Sequence, residues 1–289
     1  MTSTQTRPEA TQYPLVLEVT PRYSDLDPSR RVSRQALLRW FEDARIRAEL
    51  AAMRHRPEGT GQLLAAVQVD VVAPLRIADG YRVAYGVSRV GSSSFSYAYA
   101  VFTGDDLVAT GATTSVWVEG GKPAPLPAVL RDTLQGTLLA GAEPAPRADH
   151  PAARLVRENY PFRYDVRTRF ADLDTNRHVN NVQLASWYLD GLAELHTDVL
   201  GYPVGGPIDG LAPSALHVEF RAEVQFPGIH QLRVGVRELS DGTVTYECGL
   251  FDGHTCLGLA DATGAVRAAD AAGQDVDLTA AFEPFRMRG

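Results

Sequence analysis

At 289 residues, 45% apolar and 22% charged, the chain is long enough for two ordinary hydrophobic cores and too apolar to read as disordered. Its net charge of −7 argues against nonspecific nucleic-acid binding, and no run reaches the ~18 apolar residues of a membrane-spanning helix. The polar opening MTSTQTRPEATQ reads as neither a secretory signal nor an anchor, so a cytoplasmic protein is expected. Cys248 and Cys256 give no disulfide framework and read as buried strand residues. The His and Cys residues lack metal-ligand spacing, so no metal and no cofactor are expected.

In chain order, residues 1–11 read as a disordered tail. Residues 15–19 alternate apolar and polar side chains, as a half-buried strand does. A turn-rich segment carrying Asp25-Leu26-Asp27 follows. Then comes a helix, marked by Leu37, Trp40, Phe41, Ala44 and Ala48 at steps of three and four. Strands are expected at residues 67–75, 81–90, 95–102 and 107–118.

The chain then starts again. Residues 160–179, YPFRYDVRTRFADLDTNRHV, repeat residues 13–32, YPLVLEVTPRYSDLDPSRRV, at an offset of 147, the difference between Tyr160 and Tyr13. The second helix stripe is Leu184, Trp187, Tyr188, Gly191, Leu192 and Leu195. Strands are expected at 162–166, 216–224, 230–239, 243–251 and 255–266, with a hairpin turn at Ser240-Asp241-Gly242. Tyr97 and Tyr246, Phe102 and Phe251, and Gly104 and Gly253 align at an offset of 149. On 216–224 a period of two places His217, Glu219, Arg221 and Glu223 on one face.

A repeat of this length is a small domain rather than a solenoid unit. One strand, one long helix and about four antiparallel strands make an α+β unit whose sheet curls around its helix. The expected layout is a tail at 1–11, a first unit at 12–119, a Pro-, Ala- and Gly-rich connection at 120–158 with a short helix near 130–139, a second unit at 159–268 and a tail at 269–289. Two such units can pair within one chain, and further homo-oligomerisation stays open. Residues 22–56 hold nine Arg against five acidic residues, which reads as a solvated helix face or a patch for an acidic partner.

The densest chemistry lies in Asp172 to Asn181, DLDTNRHVNN. Asp174, Asn176 and His178 supply a carboxylate, an amide and an imidazole just before a helix that Asn180 or Asn181 can cap. That set suits hydrolysis of an activated acyl group. A carboxylate attacks or activates water, while donors and the helix N-terminus hold the developing charge. Asp and Asn at such places also build turns and caps.

These residues make the chain resemble the double hotdog-fold thioesterases of the 4-hydroxybenzoyl-CoA thioesterase-like superfamily. The second copy is most similar to the acyl-ACP thioesterases, whose motif D-L-D-x-N-x-H-V-N-N is matched by Asp172 to Asn181 at every defined position. The resemblance implies two tandem hotdog domains that hydrolyse a fatty acyl thioester of ACP or CoA. It implies catalytic Asp174, Asn176 and His178, and a catalytic Glu from a Glu-Cys pair, which falls on Glu223 with Val224 in place of the Cys. Glu247-Cys248 forms the same pair one strand later. Asn180, Asn181, Trp187, Tyr188 and Asp27 are the expected substrate-binding residues. The first copy keeps Asp27 but carries Ser29, Arg31, Ser33 and Pro74 where the second has Asn176, His178, Asn180 and Glu223, so its site reads as degenerate. A non-catalytic acyl-binding module remains an alternative. A hotdog hydratase or dehydratase is a weaker one, because those enzymes resemble D-x-N-P-x-H, with His one residue further from Asp than His178 is from Asp174.

Overall fold

The computed structural model describes residues 9–54, 57–141, 151–201, 212–266 and 273–288. Parts of the two expected tails and of the connection, residues 1–8, 142–150 and 267–272, lie outside the described residues. The chain divides into two compact units, Met1–Leu26 with Arg30–Pro146, and Arg147–Gly289 with the short segment Asp27–Ser29.

The first unit runs β1 (Leu15–Val19), α1 (Arg34–Met53), β2 (Thr60–Val71), β3 (Tyr81–Val90), β4 (Ser94–Thr103), β5 (Asp106–Glu119), the short β6 (Lys122–Pro123) and α2 (Ala128–Gln135). Ser33 caps α1 by accepting the Ala36 N–H at 3.1 Å. Its strands pair antiparallel in the order β1-β3-β4-β5-β2, with β6 beside β5. Because β1 and β2 lie at opposite edges and α1 joins them, the helix crosses the face of the sheet. Its apolar stripe makes the contact. Leu37, Phe41 and Ala44 are fully buried, Phe41 stacks on Tyr99 at 4.4 Å, and Trp40 packs against Tyr81 at 5.6 Å. Gly111 on β5 makes room for this approach: a Cβ there would run into the Phe41 ring and stand 2.7 Å from the Gln68 carbonyl oxygen.

The stripe then turns polar where Ala48 was expected to extend it. Ala48 is half-buried, while Arg45 and Glu49 are buried together, Nη1 to Oε2 at 3.7 Å. Arg39 pairs with Asp25 at 2.7 Å and Arg47 with Asp43 at 2.9 Å. The arginines of this helix are therefore not one solvated face, and Arg45 cannot meet an outside partner.

The second unit runs β7 (Phe162–Arg167), α3 (Asn181–Leu200), β8 (Ala215–Phe220), β9 (Ile229–Ser240), β10 (Thr243–Asp252), β11 (Thr255–Ala265) and α4 (Leu278–Phe282). Its strand order, β7-β9-β10-β11-β8, repeats that of the first unit. Leu184, Trp187, Tyr188, Leu192 and Leu195 are buried, and Gly191 lets Leu232 close onto the helix. Gly201, at φ 62°, ends α3. Asp241 and Gly242, at φ 50° and 72°, form the two-residue hairpin turn. Arg154, from the expected connection, is buried against Asp261 at 3.2 Å and Glu247 at 3.5 Å. Cys248 and Cys256 are free thiols whose ionisation burial opposes. No helix among the described residues is long and apolar enough to cross a membrane.

Two expected strands end before their patterns do: the one at 67–75 belongs to β2, which runs from Thr60 only to Val71, and the one at 216–224 is β8. Alternation at 216–224 persists in the burial of Leu216 and Val218, but β8 ends at Phe220. There the Arg221 and Ala222 N–H groups both donate to the Leu257 carbonyl, at 2.9 and 3.1 Å, so the even ladder stops. Glu223 therefore lies beyond the strand rather than on its face.

Gly111→Ala is expected to cost about 1–3 kcal/mol, read as a lowered denaturant midpoint. A second expectation concerns His196, buried beside Tyr246 with Nε2 2.5 Å from the hydroxyl. Burial pushes its imidazole from 6.5 down to about 4. In that window the unfolded chain binds the extra proton, so stability present above pH 6.5 is lost as pH falls toward 4, by at most about 3 kcal/mol. Denaturant titrations across this range should show the loss in wild type and a shallower dependence in His196→Gln.

Candidate active site

The short 3-10 turn Phe170–Asp172 leads into a tight antiparallel loop closed by a bridge between Leu173 and Val179. Inside it the Asp174 N–H donates to the His178 carbonyl at 3.0 Å, and the Arg177 N–H to the Asp174 carbonyl at 3.1 Å. Arg177 sits at φ 68°, the left-handed position that closes such a turn and ordinarily favours glycine. The loop thus sets Asp174 and His178 side by side across a ladder pair rather than along a helix. His178 Nδ1 is 3.6 Å from Asp174 Oδ2 and 3.4 Å from the Val179 carbonyl. The Asn176 N–H donates to Asp174 Oδ1 at 2.7 Å, and its side-chain Nδ2 reaches Oδ2 at 3.4 Å.

Glu223 arrives from the other side. The Val179 N–H donates to the Val224 carbonyl at 2.9 Å, which ties the loop to the segment after β8. Val224 is buried, and Glu223 stands with Oε1 4.0 Å from His178 Nε2 and Oε2 3.3 Å from Gln225 Nε2. The buried imidazole therefore lies between two carboxylates, one toward each nitrogen. At 3.6 and 4.0 Å these contacts have ion-pair or water-bridged spacing, longer than a direct hydrogen bond. The Glu223 side chain is half exposed, so its carboxylate meets solvent while His178 does not.

The remaining sequence-derived residues are spread over several roles. Asp172 is buried and structural: its carboxylate accepts the Arg169 N–H at 2.7 Å and its carbonyl accepts the Asn180 N–H at 2.8 Å. Asn180 is the helix cap, its Oδ1 accepting the Val182 and Gln183 N–H groups at 2.8 and 3.3 Å. Those two amides are thus engaged by the cap. Asn181 begins the helix and is half-buried. Trp187 and Tyr188 are fully buried in the helix stripe, with the Tyr188 hydroxyl over Gly258. Asp27 makes in the first copy the same turn that Asp174 makes in the second, its Oδ1 accepting the Ser29 N–H at 2.9 Å and the Ser29 hydroxyl at 2.6 Å. A groove of about 190 Å³ in the first unit is lined by Arg31, Val32, Arg34 and residues 71–75. Sequence reasoning missed the Val179–Val224 tie and the left-handed Arg177. The second recurs in the first copy, where Arg30 at the matching place is also left-handed, at φ 60°.

Residues 21–134 match the model of the thioesterase-like superfamily, and residues 157–228 match that of the acyl-ACP thioesterase C-terminal domain. No protein of curated function matches the chain in sequence. Among solved structures, one described as an oleoyl thioesterase of Lactobacillus plantarum aligns with TM-score 0.70 at 16% identity, over 88% of this chain and 96% of that one. A 12:0-ACP thioesterase of Umbellularia californica aligns with TM-score 0.68 at 14% identity, over 86% and 95%. An acyl-ACP thioesterase of Bacteroides thetaiotaomicron aligns with TM-score 0.63 at 12% identity, over 86% and 96%.

The chain is thus an α+β protein in which each half carries a segment that matches a thioesterase family, and its chemistry is acyl thioester hydrolysis. The whole Asp174–His178–Glu223 cluster lies within residues 157–228, the segment that matches the acyl-ACP thioesterase C-terminal domain.

Loss of the cap in Asn180→Ala is expected to lower stability by about 1 kcal/mol, whereas Asn181→Ala should stay within about 0.5 kcal/mol of wild type. Thermal melts of the two variants side by side make the comparison.

Proposed function

We propose that this protein hydrolyses fatty or related acyl thioesters of ACP or CoA at one centre in its second half. The observation that carries the reading is the placement of the His178 imidazole between the Asp174 and Glu223 carboxylates. The names of the aligned acyl-ACP thioesterases support the choice of substrate. The shared strand order and the long alignments support two tandem hotdog domains at 12–119 and 159–268, joined by 120–158. A cytoplasmic location belongs to the same proposal.

In this mechanism Glu223, the solvent-facing carboxylate, takes a proton from a water held between itself and His178. The water oxygen attacks the thioester carbonyl. His178 and the Asn176 side-chain amide donate to the oxyanion, and the dipole of α3 favours its charge. Collapse breaks the C–S bond, and the proton on Glu223 passes to the departing sulfur, leaving free acid and thiol. Asp174 orients rather than attacks. Its Oδ1 is engaged by the Asn176 N–H and its Oδ2 faces both the Asn176 amide and His178, so its lone pairs are committed to positioning. Trp187 and Tyr188 would flank the acyl channel, Asn180 and Asn181 would border its mouth, and Asp27 would serve as a turn-former in a first half without hydrolytic activity.

The test is thiol release from acyl-CoA and acyl-carrier thioesters. Asp174→Ala and Glu223→Gln should each lower kcat by about 10²–10⁴, and Asp27→Ala should leave it near wild type. Equal loss from Asp27→Ala would mean that both halves act. Tight binding of the thioester without any thiol release would replace the hydrolase with a binding module.

A further inference from the structure

The segment that carries Glu223 is tied down on both sides of Gln225. The Val224 carbonyl accepts the Val179 N–H at 2.9 Å, and three residues past Gln225 the Gly228 backbone is locked to the buried Thr168. The Thr168 N–H donates to the Gly228 carbonyl at 3.0 Å, and the Gly228 N–H donates to Thr168 Oγ1 at 2.7 Å. Between these ties, Gln225 places its side-chain Nε2 3.3 Å from Glu223 Oε2. Whatever fixes the Gln225 backbone therefore also fixes the amide that meets the Glu223 carboxylate.

The first unit shows what can hold that backbone from below. Tyr81 on β3 pairs with Val19 on β1, and His230 on β9 pairs with Val166 on β7, so Tyr81 and His230 occupy matching places. Arg76 matches Gln225 at the same offset of 149. The Tyr81 hydroxyl accepts the Arg76 N–H at 2.6 Å and donates to the Arg76 carbonyl at 2.9 Å. One hydroxyl on a buried ring thus secures both backbone groups of that residue.

His230 is buried in the same place, only 6% exposed, with a shorter ring. Neither of its nitrogens has a hydrogen-bond partner among the described residues. Orphan atoms alone would say little, since both units contain them, but here the match to Tyr81 gives them a direction. Nε2 is turned toward the segment: a Cβ on Gly228 would stand 2.7 Å from it and 3.3 Å from the Gln225 carbonyl oxygen. A glycine at 228 is what lets the imidazole and that carbonyl lie on the same side of the backbone.

We propose that His230 is a positioning residue for Glu223. Through one structural water, its Nε2 holds the Gln225 backbone, the task that the Tyr81 hydroxyl performs directly in the first unit. The Gln225 amide then keeps the Glu223 carboxylate over the water it activates. Glu223 needs such support because it lies beyond the end of β8, where no ladder fixes it. The assignment rests on the hydrolytic reading of Glu223.

The experiment is steady-state thiol release from a thioester that wild type turns over, using the full chain with His230→Tyr or His230→Phe, each alone and combined with Glu223→Gln. The two replacements share a shape and differ only in the hydroxyl. His230→Tyr should keep kcat within about threefold of wild type, whereas His230→Phe should lower it about tenfold with KM unchanged. In the Glu223→Gln background the two should turn over alike, because no carboxylate remains to be positioned; a merely structural role would leave their difference in place. Equal kcat for the Tyr and Phe variants, or a difference that persists without Glu223, would overturn the assignment. Should neither ring be accommodated, His230→Gln and His230→Leu, one able to hydrogen-bond and the other not, carry the same two expectations. A Glu223→Gln variant with wild-type kcat would remove the hydrolytic role of Glu223 and that of His230 with it. An inactive Glu223→Gln beside indistinguishable Tyr and Phe variants would remove His230 alone.

Discussion

The hydrogen bond from the Val179 N–H to the Val224 carbonyl is the constraint on which the candidate site depends. His178 belongs to a tight loop ahead of α3, and Glu223 to an irregular segment after β8; nothing in their local structure brings them together. The backbone bond does so without using a side chain, and therefore without restricting which side chains stand beside it. The same bond recurs in the first unit, from the Val32 N–H to the Leu75 carbonyl at 3.0 Å. The scaffold is thus a property of the fold, and the chemistry is added to it.

That separation lets two copies share one shape while carrying different side chains. Asp27 and Asp174 both hold a turn by accepting the N–H two residues on, so an aspartate at this place is required by the loop whether or not it serves a reaction. What distinguishes the second copy is the group beside each carboxylate. Asn176 and His178 give Asp174 donors to orient, whereas Ser29 turns its hydroxyl back onto Asp27 and Arg31 stands in place of the imidazole. Pro74, in place of Glu223, removes the second carboxylate altogether. The first copy keeps the geometry and lacks the proton-transfer groups.

Much of this was legible in the sequence because it rests on local signals. The repeat, the helix stripes, the Asp241-Gly242 turn and the Asn180 cap all follow from short-range patterns that backbone geometry enforces. The failures share a different cause. A period of two continued through Val224, yet β8 stopped at Phe220, because two N–H groups compete for one carbonyl on β11, a contact distant in sequence. Arg45 and Glu49 counted toward a solvated face because residues 22–56 are rich in charge. Only the crossing of α1 over its sheet turns them inward. Arg177 at a glycine-like φ carries no local signal, since the surrounding ladder imposes it.

The two interiors also resolve the burial of polar groups in opposite ways. In the second unit, burial disfavours the charged form of His196 and the Tyr246 hydroxyl meets Nε2, while Nδ1 stays buried without a partner. In the first, burial pushes the Glu49 carboxyl toward its acid, and the Arg45 guanidinium beside it pulls the other way. A buried pair of this kind is weak evidence of stabilisation, since desolvation can exceed the attraction. At 3.7 Å it also lacks the close hydrogen bonds that would offset that cost. The stability of the first unit must therefore come from the apolar half of α1, from Leu37 to Ala44, packed on its aromatic strands.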